Sequence, residues 1–443
     1  MATIAPLLPL RYNLSKLGSG SNDALKSLVA PPYDVIDDRG REDLEALHPN
    51  NVVRLILPRG EGDAKYTQAK ETFSQWLNDG VLVRDEKPGF FRYDQTFSVP
   101  GPNGNEAVTR SGFLALVETA SYDKRTILPH ERTLSGPKED RLKLFRATET
   151  NFSPGFMLYQ DTMGTVDALL ESAEPLSEFA TADGITHKLS KISDEATLRA
   201  IVKAFEPWSL LIADGHHRYE TSMRYKEEVE AKGASPPQGA HRYFMVFLCN
   251  EASPNLRVFP THRHVHSLKD VSWLSLLEKA APLFNVETTT LSADALTAEL
   301  KRRGETSPTF AVHSAKESAL FTLRPNADLA AHPILREVPE VLRKTDVILL
   351  HHGILEAILG ITKEAQAAKT NLWYPQDATR ALGELREGKG QLLFQLNPTP
   401  VSDVRRVAEA GEVMPQKSTF FYPKVLTGLA IHTLEPSLSV WTP

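Results

Sequence analysis

The order of apolar and polar positions changes period repeatedly along the chain. In DAKYTQAKETFSQWLNDG (63–80), Tyr66, Ala69, Phe73, Trp76 and Leu77 share one face at helical spacing, and Gly80 suits the C-terminal cap. GFFRYDQTF and SGFLALVETA read as neighbouring strands around the turn VPGPNGNEA. DEATLRAIVKAF is helical and leads into the strand SLLIA; HRYFMVFLCN and LRVFPTHRHVH read as two further strands. Beyond residue 270, helices are expected in SWLSLLEKAAPLF, ADALTAELKRRG and TDVILLHHGILEAILGI, with the strand pair TFAVHS and ALFTLR between them. QLLFQL, the helix SDVRRVAEAG and the segment MPQKSTFFYPKVLTG follow.

Mixed order with adjacent antiparallel strands predicts an α+β fold with mixed sheets over a pure doubly wound sheet. It is expected to hold a strand–turn–helix core and a C-terminal α/β part. We place an N-terminal α+β region at 1–268 and a C-terminal α+β region at 269–443. The linker candidates 231–240 and 325–340 are too short to prove a boundary, and no internal repeat is visible.

Composition narrows the function. With 443 residues, 41% hydrophobic and 24% charged, the chain can bury a large core without a disulfide or metal staple. A net charge of −6 gives no electrostatic footprint for nucleic acid. The single cysteine, Cys249, excludes an intramolecular disulfide and a Cys-x-x-Cys pair, which fits a reducing cytoplasm. MATIAPLLPL lacks a basic n-region and is not read as a signal peptide, and no run approaches a membrane span. The expected partners are small molecules, with no nucleic acid and no membrane.

The densest polar cluster is LLIADGHHRYETS (210–222). Asp214-Gly215 is a turn signal between an apolar strand and the helix HHRYETSMRYKEEVEAKG. A strand, a glycine turn and a helix N-terminus make an anion site, to which Arg218 adds a bidentate donor. Adjacent histidines, His216 and His217, point in different directions, which disfavours a metal pair. The plainer alternative is a pair of solvated or capping polar residues.

Other segments offer further candidates. In RTILPHERTLSGPKEDRLKLF, Glu131 can act as a base or hold magnesium, and Arg132 and Arg141 can neutralise phosphate; the alternative is a capping region before the helix. MPQKSTFFYPK sets Lys417, Ser418, Thr419 and Lys424 among aromatics, a costly arrangement unless the charges are paired. APPYDVI presents Tyr33 and Asp34 behind two prolines, or is a simple turn. In PTHRHVH, His262, His264 and His266 share a strand face, but neighbours nearly 7 Å apart make a zinc centre awkward. The histidines of LLHHGILEAILG suit satisfied polar groups in a buried helix.

Five motifs in order, APPYDVI, HERT, DGHHRY, PTHR and MPQKSTFFYPK, resemble the domain-of-unknown-function 1015 family over nearly the full length. The turn IADGHHRYETS is similar to the Gly-x-x-Arg turn of the ParB/sulfiredoxin-like superfamily, where a strand–turn–helix holds a nucleotide's phosphates. Sulfiredoxins carry their catalytic cysteine where this chain has His216, and ParB-type proteins carry basic DNA-binding helices. The free-serine kinases have an Asp-Gly-His-x-Arg turn and an upstream Pro-His-Glu, matched here by Asp214–Arg218 and Pro129-His130-Glu131, at a longer separation.

That resemblance implies a small-molecule kinase using ATP or ADP with Mg2+. Glu131, Asp214 and His216 would be catalytic, with Asp214 and Glu131 as metal ligands. Gly215, His217, Arg218, Lys417, Ser418, Thr419 and Lys424 would hold phosphate, all in one pocket. Tyr33, Asp34, His130, Arg132, Arg141, His262 and Arg263 would meet the acceptor, such as a free hydroxy amino acid. A metal-dependent hydrolase and a non-catalytic nucleotide sensor are the alternatives.

Overall fold

The structure is a computed structural model that describes residues 1–17, 22–101, 104–133, 135–233 and 236–442. The expected turn at 99–107, the linker at 231–240 and the capping region before the helix Ser135–Thr148 therefore lie partly outside the described residues. The chain forms two compact units. The first comprises Met1–Pro129, Thr133–Leu256 and Pro423–Pro443; the second comprises His130–Arg132 and Arg257–Tyr422. This division is discontinuous, where the sequence suggested a single cut after residue 268. The cause is pairing of the chain's last segment with its beginning: Ala30 bridges Thr427, Leu10 bridges Ile431, and His432–Thr433 pairs antiparallel with Thr150–Asn151.

Among the described residues, the first unit is built on a nine-stranded mixed sheet. Its order is Ile127–Leu128, Leu210–Asp214, Gly155–Tyr159, Tyr243–Asn250, Gly104–Glu118, Phe90–Gly101, Thr186–Ile192 and Glu174–Ala180, with Ile4–Ala5 beside Gly104–Glu118. Two pairings are parallel, Leu210–Asp214 with Ile127–Leu128 and Tyr243–Asn250 with Gly155–Tyr159. Every residue of Tyr243–Asn250 is buried, as its unbroken apolar run requires of a strand covered on both faces. Phe90, Phe113, Tyr159, Phe205 and Phe244 pack in the same core with Tyr219 of the helix His216–Glu230.

The second unit has a six-stranded antiparallel sheet, ordered Phe284–Thr289, Ser318–Leu323, Thr309–His313, Leu392–Gln395, Arg263–Val265 and Leu372–Trp373. Leu296 and Leu300 of the helix Ala293–Gly304 pack on Ala311 and Leu320. The α+β class with mixed sheets thus holds, and the helices and strands expected at 63–80, 194–214 and 309–324 form. LRVFPTHRHVH is not one strand. It divides into Arg257–Phe259, paired with Phe420–Tyr422, and Arg263–Val265 in the six-stranded sheet. Pro260 lies at the break, and proline has no N–H to continue a ladder. Among the described residues no helix is long and apolar enough to cross a membrane.

Cys249 is fully buried in Tyr243–Asn250, where burial pushes its thiol up to about 12. A thiol so protonated is a poor nucleophile. Native protein is expected to react with Ellman's reagent only as fast as it unfolds, and to titrate one thiol per chain in guanidinium. Rapid labelling of the folded state would contradict this burial.

Candidate functional site

The strand Leu210–Asp214 ends at the turn the sequence singled out. Gly215 has a φ of 91°, and the helix His216–Glu230 begins at the next residue. Glycine is required twice over. The conformation is left-handed, and a Cβ at 215 would lie 3.0 Å from the Arg218 guanidinium carbon. The Asp214 Oδ1 accepts the Gly215 N–H at 3.0 Å. Its Oδ2 lies 3.3 Å from the Lys424 Nζ and 3.5 Å from the Arg218 Nη2. Burial alone would raise the Asp214 carboxyl, but Lys424, Arg218 and His216 outweigh it and hold the group well below the usual carboxylate range.

The APPYDVI motif reaches the same neighbourhood. Pro32 precedes a single 3-10 turn, Tyr33–Val35. The Arg141 guanidinium lies 4.3 Å from the centre of the Tyr33 ring and donates to the Ile56 carbonyl at 2.6 Å and to Asp140 at 2.8 Å. Burial raises the Tyr33 hydroxyl, opposed by the charges of Arg141 and Arg218. Asp34 is exposed, whereas His216 and Arg218 are buried. Part of Arg218 is committed internally, since its Nη1 donates to the Pro154 carbonyl.

Two residues absent from the sequence analysis support this cluster. Arg110 is fully buried, 4.7 Å and 5.2 Å from the ring centres of Phe156 and Phe247. Its Nη2 donates to the Gln95 Oε1, and its Nε and Nη1 have no hydrogen-bond partner among the described residues. Burial lowers it to about 10, with the charge of Asp214 acting in the opposite sense. The Gln95 Nε2 in turn donates to the Lys424 carbonyl at 3.0 Å. Arg110 occupies an inward position between buried Val108 and Gly112, a placement that strand alternation permits but only the sheet decides.

The remaining candidates form a second constellation, within the second unit. The Glu131 backbone bridges Met414, the His130 carbonyl accepts the Met414 N–H at 2.7 Å, and the Glu131 Oε1 accepts the Ser418 N–H at 3.1 Å. His130 is buried, with its Nε2 2.9 Å from the Thr419 hydroxyl. Arg263, also buried, donates to the Lys417 carbonyl at 3.2 Å and to the His351 Nε2 at 2.9 Å. Since His351 accepts there, its Nδ1 donates to the Gln366 Oε1 at 2.7 Å, which sets a neutral tautomer. Lys417 takes a φ of 59° and its side chain is exposed, as is that of Arg132. His262 points away from this group; its Nδ1 accepts the Leu396 N–H at 3.2 Å.

The MPQKSTFFYPK motif is therefore shared. Lys417, Ser418 and Thr419 serve the second unit, and Lys424 serves the first. His217 adjoins the Asp214 turn, its carbonyl accepting from the Thr221 hydroxyl at 2.7 Å. Each of the two carboxylates expected to hold magnesium already has protein partners. Asp214 is already neutralised by cations, and Glu131 is engaged by a backbone N–H. Among the described residues no group of three His, Cys, Asp or Glu side chains could hold a metal ion.

The family model described as "Protein of unknown function (DUF1015)" matches residues 4–348. No curated protein matches the chain. Among solved structures, the chain is similar to a free serine kinase in complex with AMP, at 11% identity and a TM-score of 0.37, covering 73% of this chain and 92% of that one. It is also similar to a conserved hypothetical protein from Pyrococcus furiosus, at 13% identity and a TM-score of 0.35, covering 73% and 95%. SbnI from Staphylococcus aureus, truncated at its C-terminus, matches at 12% identity and a TM-score of 0.34, covering 71% and 85%.

Asp214 supplies a stability test with a defined sign. Its native carboxyl titrates below the unfolded value of about 3.9, so its contribution is present above that pH and is lost as pH falls through the folded value. Asp214→Asn is expected to cost roughly 3–5 kcal/mol at neutral pH, because it leaves Lys424 and Arg218 without their carboxylate. The difference from wild type should shrink on acidification. Denaturant titrations at several pH values decide; equal stability at pH 7 rejects the assignment.

Proposed function

This chain belongs to the DUF1015 family, and we propose that its first unit binds the phosphates of ATP or ADP at the Gly215 turn for phosphoryl transfer to a small polar metabolite such as a free hydroxy amino acid. One observation carries the reading: the cations around Asp214 outnumber its carboxylate. Lys424 and Arg218 both pair with it, and buried Arg110 lies within its electrostatic reach. Arg110 is fully buried with two donors unpartnered among the described residues, and such a buried positive charge is costly unless an anion completes it. The excess stands at the N-terminus of the 15-residue helix His216–Glu230, where first-turn N–H groups and the helix dipole also favour an anion.

Phosphoryl transfer asks for positioning, charge neutralisation and a base more than for covalent chemistry by the protein. In this reading Lys424 and the Gly215 turn position the nucleotide, and Asp214 keeps Lys424 charged and oriented. Arg141 stacked on Tyr33 offers a second cationic face.

Lys424→Ala is expected to weaken ATP or ADP binding by about 1.5–3 kcal/mol, the worth of a charge-assisted contact. Calorimetric titration reads this directly. Unchanged affinity in the variant, or no nucleotide binding by wild type, removes the reading. Binding without turnover of any hydroxylated amino acid would turn the protein into a nucleotide sensor.

A further inference from the structure

The second unit contains a cavity of about 870 Å3 that the phosphate chemistry does not use. Its walls come from the helix Ala293–Gly304, the N-terminal ends of Ala378–Arg386 and Val401–Glu409, and the segment after Leu392–Gln395. Two groups in its wall are incompletely satisfied. His262 is only 2% exposed, and its Nδ1 is occupied by the Leu396 N–H. The Nε2 therefore carries the ring proton, and no protein acceptor for it is present among the described residues. Burial holds this imidazole neutral, down to about 4.

The second group is Asp346. Asp403 is paired with Arg406 at 2.8 Å, and Asp377 caps its own helix by accepting the Arg380 N–H at 2.9 Å. Asp346 has no cationic partner among the described residues. Burial, reinforced by Asp403 and opposed by the Thr309 N–H, pushes its carboxyl up to about 7. On the wall of one cavity, Asp346 and His262 offer a ligand a carboxyl without a cationic partner among the described residues and a donor-only imidazole. Lys301 and Lys344 line the cavity as well, but both are exposed.

We infer that this cavity binds a small primary-amine compound, its ammonium group directed to Asp346 and a neighbouring hydroxyl or carboxylate oxygen accepting from His262. The ammonium supplies the missing counter-charge, and the adjacent oxygen supplies the missing acceptor. Amino alcohols, amino sugars and amino acids carry both kinds of group.

The test uses the full chain with ethanolamine, glucosamine and L-serine as probes, and ethylene glycol and glucose as uncharged counterparts. Ligand-observed NMR and calorimetry should show saturable binding of at least one amine and none of the uncharged counterparts. Asp346→Asn, which keeps the shape and removes the charge, should weaken that amine by about tenfold or more. Ala378→Trp, which fills the cavity, should do the same. Nucleotide affinity measured in both variants should equal wild type, which separates this site from the first unit's chemistry and reports that the variants are folded. Failure of all three amines to bind, equal binding of the uncharged counterparts, or unchanged amine affinity in folded Asp346→Asn overturns the inference.

Discussion

The Lys424–Asp214 ion pair is the interaction on which the Gly215 turn of the first unit depends. Asp214 ends a strand and is only 21% exposed through its side chain, so it stays ionised only if cations compensate for its lost hydration. Arg218, the partner nearest in sequence, divides its donors between Asp214 and the Pro154 carbonyl. Lys424 arrives from 210 residues away. It is held in place because the segment around it pairs with Ala30, Leu10 and Thr150–Asn151, and because Gln95 grips its carbonyl. The same return of the chain explains why the first unit is discontinuous. Closing so long a loop costs only slightly more entropy than closing one of half its length, since that cost grows with the logarithm of length.

The second unit solves its charge problem in another way. Glu131 is met by the Ser418 N–H, and Arg263 by the carbonyls of Thr261 and Lys417. Backbone groups on fixed loops orient these side chains with little rotamer freedom left to lose. Residues 349–356, in π-helical geometry, belong to the same arrangement, because His351 accepts from Arg263 and donates to Gln366. Such departures from the regular helix are frequent at functional sites.

Much of this was legible in the chain itself. The strand, Asp-Gly turn and helix at 210–233 were readable because an apolar run, a turn dipeptide and a helical pattern succeed one another without interruption. Periodicity also found the helix at 64–78 and the paired strands around residue 100. It failed at LRVFPTHRHVH, where an alternating pattern continues through Pro260 while hydrogen bonding cannot. It passed over Gln95 and Arg110, because inward-facing polar residues in a strand are noticed only once the sheet shows which side is covered.

The sequence by itself determined the α+β class, the local conformation at Gly215, and the residue types able to hold phosphate. These depend on contacts within a few positions, or on backbone conformations that only certain residues adopt. The tertiary structure decided which charges meet. It separated Lys424 from Lys417 within a single motif, turned His262 and Arg263 to different partners, and left Asp346 on a cavity wall with no cationic partner among the described residues. The reason is that desolvation and Coulomb attraction act through space. Whether a charged side chain is paired, and whether its titration moves, follows from what the folded chain places around it.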